Sequence, residues 1–373
     1  MRPVWAEVDL GAIAANTAAL VARSSPARVC AVVKADGYGH GAVASARAAL
    51  AGGADLLAVA LVAEGAELRE AGIDARVLVL SQASPDELDD LVAHGLDATV
   101  YTDEGIRDLG AAAARRAGGP RVRVHLKVDT GMHRVGAQPA DAVGLAKAVD
   151  ADAALELASA FTHCAVADEP ANPFTDVQLA RFDAVLGDIA RAGIDVPCQH
   201  AANTAAAIDH PGARRDLVRV GIGLYGIDPS PALAGRLPLT PALSLHARAS
   251  HVKRVAAGEG ISYGLRYRPE RETTIATVPL GYADGLPRRL GELGGSVLLG
   301  GRRRPIAGSV TMDQILVDCG DDPVEVGDEV VLIGRQGDLE ITAADWASQL
   351  GTIAYEVVCA ISPRVPRRYR EPS

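Results

Sequence analysis

Of the chain's 37 basic residues only four are lysines, Lys34, Lys127, Lys147 and Lys253, and the other 33 are arginines. An ammonium can shed its proton and form a Schiff base, whereas a guanidinium does neither, so each lysine is a candidate for amine chemistry. Lys34 has the most informative neighbours. It closes the apolar run RVCAVV and precedes ADGYGHGA, whose Gly37, Gly39 and Gly41 let backbone approach a ligand as closely as a phosphate requires. Lys127 stands seven residues before Arg134 in HLKVDTGMHR. Inside a strand a bare ammonium is costly, and Asp129 is its nearest pairing candidate. Arg134 and Arg219 offer planar, two-pronged donors suited to carboxylates. Tyr263, Tyr282 and Tyr355 carry hydroxyls that can move or hold protons, and each also fits plain packing. His163 and His200 have Asp168 and Glu169 nearby, but no ligand spacing supports a metal, and none is expected.

The elements that must position these residues fall into two patterns. From about residue 28 to 226, short apolar runs alternate with amphipathic, Ala-rich segments. The runs are 28–33, 56–61, 76–80, 97–101, 122–128, 155–163, 196–200 and 220–227. Strands alternating with helices predict a parallel sheet, and eight repeats predict an N-terminal (β/α)8 TIM-type barrel, with Lys34 at a strand's C-terminal end, where barrels build active sites. GAVASARAAL, VAEGAELREAG, SPDELDDLVAHG and TDEGIRDLGAAAARR are the predicted helices. After about residue 240 the segments become short and strand-like, with no comparable helix before ITAADWASQLG. The division is therefore a barrel over residues 1–239 and a mainly β C-terminal domain over 240–373.

Charge and composition exclude several classes. With 47 acidic residues the net charge is −10, so no nucleic-acid partner is expected. No stretch approaches the roughly 20 apolar residues of a membrane helix, and the N-terminus lacks a secretory pattern, so no membrane association and a cytoplasmic location are expected. Five scattered cysteines form neither a CxxC pair nor a disulfide framework. The arginine bias, with abundant Ala, Gly and Val, reads as GC-rich coding.

VVKADGYGHGA resembles the pyridoxal-phosphate lysine motif of the bacterial alanine racemases. The similarity continues in family order through VALVAEGAELREAGI, HLKVDTGMHRVG, FTHCAVADEP, HAANTAA, RVGIGLYGI, GEGISYG, PLGYADG, TMDQ and IAYEV. The resemblance implies that pyridoxal 5′-phosphate is bound covalently by Lys34, which then serves as one acid/base. It implies that Tyr263 is the second, acting on the opposite substrate face from another subunit. Tyr38, His163, Asn203, Thr204, Arg219, Gly221, Ile222 and Tyr355 correspond to cofactor-binding positions, with Arg219 facing the pyridine nitrogen. An arginine there leaves that nitrogen unprotonated and the ring a weaker electron sink, which suits simple proton exchange. Arg134, Met312, Tyr282 and Asp313 correspond to substrate-binding positions, the last three supplied by a partner subunit. Lys127 corresponds to a lysine that the family often carbamylates. The implied protein is a homodimer, head to tail, racemising alanine to supply D-alanine for peptidoglycan.

The chain departs from common family wording at Thr311, Val220, Ala354 and Thr204, which bears on pocket size and inhibitor response more than on reaction type. Two rivals stay open at this stage. One is a broader amino-acid racemase; the other is a non-catalytic pyridoxal-phosphate homeostasis protein, which would need Lys34 but not the second domain.

Overall fold

Residues 2–116 and 118–371 are described by a computed structural model. The chain forms two units, one spanning Ala12–Thr240 and the other combining the first eleven residues with those from Pro241 onward. The N-terminus, expected with the barrel, therefore lies in the β unit. The reason is local: VWAEVD forms β1 (Val4–Asp9), which pairs antiparallel with Leu243–Arg248 in the register Trp5 to His246.

Eight strands make the barrel: β2 (Arg28–Val32), β3 (Leu56–Val59), β4 (Val77–Val79), β5 (Ala98–Val100), β6 (Val122–Lys127), β7 (Leu155–Phe161), β8 (Gln199–His200) and β9 (Leu217–Val220). They form two parallel arcs, β9-β2-β3-β4 and β5-β6-β7-β8. The arcs join where Asp97 accepts from Val79 N and donates to Val77 O, at 3.0 and 2.8 Å. At the other seam Asp216 N donates to Gln199 O at 3.1 Å and Arg219 N to Ala202 O at 2.9 Å. Strands buried on both faces read as continuous apolar runs, which is why they are visible in the sequence.

The four predicted helices form at Ala42–Ala51, Val62–Glu70, Leu88–Ala93 and Asp103–Arg115, the third preceded by a 3-10 turn at Pro85–Glu87. Thr102 caps the last by accepting from Gly105 N at 3.0 Å. One run is misplaced. The predicted strand at 220–227 is instead the end of β9 followed by a 3-10 turn, Ile222–Tyr225. GIGLYG is apolar, but Gly226 at φ 76° turns the chain, and a Cβ at Gly223 would fall 2.8 Å from Thr204 Cγ2.

In the second unit a seven-stranded sheet runs in the order Arg302–Pro305, Ser296–Leu299, Glu329–Gln336, Leu243–Arg248, β1 and Arg367–Arg370, with Leu339–Ile341 paired to Glu329–Gln336. Both outer strands are arginine-rich, RRRP and RRYR. Charged edges of this kind discourage pairing with another chain. A three-stranded sheet of His251–Val255, Thr273–Val278 and Ile315–Gly320 carries the loops considered below. The expected helix forms at Ala343–Leu350, and a second, unforeseen, at Ala354–Cys359. Among the described residues no helix is long and apolar enough to cross a membrane.

Candidate active site

Lys34 follows β2 and opens a left-handed turn in which Ala35, Asp36, Gly37 and Tyr38 all have φ between 51° and 60°. Each non-glycine residue in this region costs about 1–2 kcal/mol. Hydrogen bonds hold the turn: Ala35 N donates to Glu64 Oε1 at 2.6 Å, and Asp36 Oδ1 accepts from Ala42 N at 2.8 Å. The turn aims Tyr38 at β9. Its ring packs on Tyr225 at 5.1 Å, and a Cβ on Gly221 would lie 2.4 Å from the Tyr38 hydroxyl. Only glycine leaves room there.

Thr204 stands beside this cradle at the start of helix Thr204–Asp209. Its hydroxyl accepts the Gly221 N–H at 3.0 Å, so that N–H is engaged within the protein and the threonine keeps its own proton to donate. Asn203 caps the same helix, accepting from Ala206 N at 3.0 Å. Its part is to set the position of Thr204. Ile222 begins the adjacent 3-10 turn.

Lys127 ends β6 and is 6% exposed. Its amine lies 3.5 Å from Leu80 O and 5.6 Å from the centre of the Phe161 ring. Burial, followed by the charges of Arg219, Arg134 and Lys34, lowers its pKa to about 8. Among the described residues it has no ion pair, and the pairing candidate Asp129 accepts from Gly131 N and His133 N at 2.9 and 3.1 Å. These bonds shape the exposed turn that carries Arg134, with His133 at φ 55°.

Arg219, on β9, is 4% exposed, and burial lowers its pKa to about 10. Its acceptors are all neutral: His200 Nδ1 at 2.8 Å, Thr162 O at 2.8 Å, Ala201 O at 3.1 Å and His163 Nδ1 at 3.1 Å. The carboxylate of Asp216, three residues earlier, accepts from Gln199 N. Burial, then Arg219, Arg134, Lys127 and Lys34, holds His163 well below the usual imidazole range. Neutral His163 accepts at Nδ1, so its proton sits on Nε2 and can be donated onward. The barrel thus brings Lys34, Lys127, Arg134, His163 and Arg219 within electrostatic reach of one another.

The β unit contributes a separate set. Tyr263 is 75% exposed on a 3-10 turn, Tyr263–Leu265, flanked by Ser262 at φ 63°, ψ −175°, a conformation almost confined to glycine, and Leu265 at φ 50°. Two serines hold it: Ser262 Oγ donates to Ser309 O at 2.8 Å, and Ser309 Oγ to Tyr263 O at 3.1 Å. The next residues join this turn to Tyr282, because Tyr282 N donates to Thr311 O and Ala283 N to Met312 O, both at 3.0 Å. Ser262, Tyr263, Thr311, Gln314 and Leu316 line a pocket of about 450 Å³. Thr311 closes its own turn by donating to Gln314 O at 2.8 Å. Asp313 is engaged by Arg364 at 2.6 Å, so its carboxylate serves this unit's own loop. Tyr355 lies half-buried on Ala354–Cys359. Ser262 and Ser309 were not anticipated from the sequence, where serine in a glycine-containing segment reads as an ordinary turn. Among the described residues no cluster suited to a metal ion occurs.

The family model for the alanine racemase N-terminal domain matches residues 8–229, and that for the C-terminal domain matches 242–369. The chain belongs to the alanine racemase family. An alanine racemase of Symbiobacterium thermophilum is 50% identical over 372 residues, which are 99% of this chain and 97% of that one. Among solved structures, alanine racemase from D-cycloserine-producing Streptomyces lavendulae superposes with a TM-score of 0.93 at 42% identity, covering 99% of this chain and 97% of the other. A histidine racemase of Leuconostoc mesenteroides has a TM-score of 0.91 at 29% identity, covering 99% and 98%. The family's two-domain form leaves no place for the single-domain carrier considered above.

Proposed function

We propose that the chain interconverts L-alanine and D-alanine, with pyridoxal 5′-phosphate held in the barrel, Lys34 as one acid/base and Tyr263 of a second copy as the other. The observation that carries the reading is the cluster of Lys34, Lys127, Arg134 and Arg219, in which Lys127 and Arg219 have no carboxylate ion pair among the described residues. Two buried cations without a carboxylate ion pair suit an anionic ligand, and both a phosphate-bearing cofactor and an amino-acid carboxylate qualify. The hydroxyls of Tyr38 and Thr204, which converge on Gly221, suit the phosphate. Ile222 and Tyr355 complete the proposed cofactor set, Asn203 supports Thr204, and Arg134, Tyr282, Met312 and Asp313 are assigned to the substrate and its entry path. When bound, the cofactor supplies an electron sink conjugated to the substrate amine.

The protein's own groups do the rest. Racemisation needs a base on one face of the α carbon and an acid on the other, and a lysine and a tyrosine that exchange these roles run the reaction in both directions. Arg134 orients the carboxylate. Arg219 would face the ring nitrogen and, as a guanidinium, would donate an N–H there without giving up a proton, keeping the electron sink weak and side reactions few. His163, neutral with its proton on Nε2, can donate a hydrogen bond into the site. Lys127 lies among cations, and at a pKa of about 8 a fraction of its amine is neutral at physiological pH. Neutral amine and CO2 combine to a carbamate and one released proton, which places an anion where the surrounding charges favour one. A carbonyl resonance that appears with ¹³CO2 and vanishes in Lys127→Met tests this.

The exposed Tyr263 supports a homodimer with shared sites. The reading also carries a cytoplasmic location and the supply of D-alanine to peptidoglycan, which rescue of a D-alanine auxotroph tests. The central experiment is racemisation of L-alanine with and without added pyridoxal phosphate, followed by polarimetry and visible absorbance. Activity should require the cofactor and disappear, with the absorbance band, in Lys34→Ala; a fully active Lys34→Ala would overturn the proposal. Serine, lysine, arginine and histidine as alternative substrates define the breadth.

A further inference from the structure

A hydrogen-bonded chain crosses the barrel interior behind Arg219, taking one residue from the line of each of five neighbouring strands. Arg219 Nη1 donates to His200 Nδ1 at 2.8 Å. His200 Nε2 lies 2.9 Å from Ser159 Oγ, which lies 2.6 Å from His125 Nδ1. His125 Nε2 lies 3.1 Å from Asp97 Oδ2, a carboxylate that also accepts from Arg76. Every member from Asp97 to Arg219 is buried, and His125 and Ser159 are register partners on β6 and β7.

Burial lowers the pKa of both imidazoles, joined by Arg219 at His200 and by Arg76 and Arg123 at His125, and outweighs the opposing pull of Asp97 on His125. With both rings neutral, one arrangement of protons fits. A guanidinium only donates, so His200 Nδ1 must be an open lone pair and the proton of His200 sits on Nε2. That proton goes to Ser159, the serine proton goes to His125 Nδ1, and the remaining imidazole proton goes to Asp97. If Ser159 donated to His200 instead, both nitrogens of that ring would be acceptors, which a neutral imidazole cannot supply. Every donor therefore points away from Arg219 and toward Asp97, so each link polarises the next. The guanidinium, whose direct acceptors are all neutral, gains an anion at the far end.

We propose that Asp97, His125 and Ser159 are positioning residues for Arg219: through His200 they fix the rotation of the guanidinium and keep it charged, the form in which it would donate to the cofactor ring. The proposal rests on the reading of Arg219 as the partner of that ring, and it assigns to a polar barrel layer a task beyond packing.

The test uses the cofactor-loaded enzyme with ¹⁵N-labelled histidine, signals being assigned with His125→Gln. His200 and His125 should each show a protonated Nε2 and an unprotonated Nδ1, unchanged between about pH 6 and pH 9. A doubly protonated His125, or His200 protonated at Nδ1, overturns the proposal. Ser159→Ala should give His200 a mixture of tautomers and lower kcat about 10- to 100-fold, with KM for alanine changed less than about twofold. Ser159→Thr, which retains the hydroxyl, should restore the tautomer. Full kcat with an unmixed tautomer in Ser159→Ala also overturns it. Should that variant fail to fold, Asp97→Asn is read for the same loss of order at His125, and the wild-type spectrum stands by itself. The two readings fail separately: a wild type inactive on alanine removes the racemase, whereas unordered tautomers in an active enzyme remove only the chain.

Discussion

The two units hold their chemistry by opposite means. In the barrel, Arg219 is enclosed by four neutral acceptors and Lys127 is buried beside other cations, so charge and burial fix what each group can do. In the β unit, Tyr263 stands in solvent on a turn whose backbone is strained at Ser262 and Leu265, and two serine hydrogen bonds keep it there. Of the seven non-glycine residues with positive φ among those described, six lie within four residues of Lys34, Arg134 or Tyr263, so strain marks both units at their chemical positions. The lesson is that the barrel tunes its groups and the β unit presents one. A presented group needs something to face, whereas a tuned group needs its neighbours.

The sharpest break of this contrast is Tyr263→Phe. With the barrel intact, proton abstraction from L-alanine should fall by about 10²- to 10⁴-fold and abstraction from D-alanine much less, as isotope exchange in each direction would reveal. Equal losses would mean that Tyr263 is not confined to one face. Mixing Lys34→Ala with Tyr263→Phe protein asks where the presented group goes. Random reassociation should restore about a quarter of wild-type activity, because only mixed dimers hold one complete site. If no activity returns, each chain uses its own tyrosine.

Smaller effects separate the two strategies. Gly221→Ala puts a Cβ 2.4 Å from the Tyr38 hydroxyl and should weaken cofactor binding about tenfold or more, read as the pyridoxal phosphate concentration needed for half activity. Ser309→Ala removes one of two bonds holding the Tyr263 turn, and kcat should drop several-fold, about 1 kcal/mol, with cofactor binding unaltered. The mildest change concerns stability. The Lys127 pKa falls from 10.5 to about 8 on folding, so between these values the unfolded chain binds more protons and stability rises with pH. In the cofactor-free protein without CO2, Lys127→Met should abolish that rise and increase Tm at pH 7 by about 2–4 °C. A wild-type Tm that falls across this window would contradict the assignment.

Much of the barrel was legible because parallel strands buried on both faces must be apolar, and RVCAVV, LLAVAL and RVLVL are. GIGLYG was misread because apolarity alone does not separate a strand from a glycine turn. The placement of β1 was missed because its pairing partner lies more than 230 residues away in sequence. Lys34, Arg134, Arg219 and Tyr263 were visible through motif wording. The Asp97 to Arg219 chain was not, since its members are scattered and each alone is an ordinary core polar residue. One signal was present: His125 and Ser159 lie among apolar neighbours in VHL and LASAF, and a buried polar residue must find a partner.

The distribution of lysines also has a practical consequence for handling the protein. Lys147 is exposed on a barrel helix and Lys253 on a β-unit strand, while Lys127 is buried. Amine-reactive dyes, crosslinkers and resins therefore meet one exposed side-chain amine on each unit, Lys34 being half-buried. A surface coupled through Lys147 grips the barrel and one coupled through Lys253 grips the β unit, so a single Lys→Arg change selects which unit carries the label.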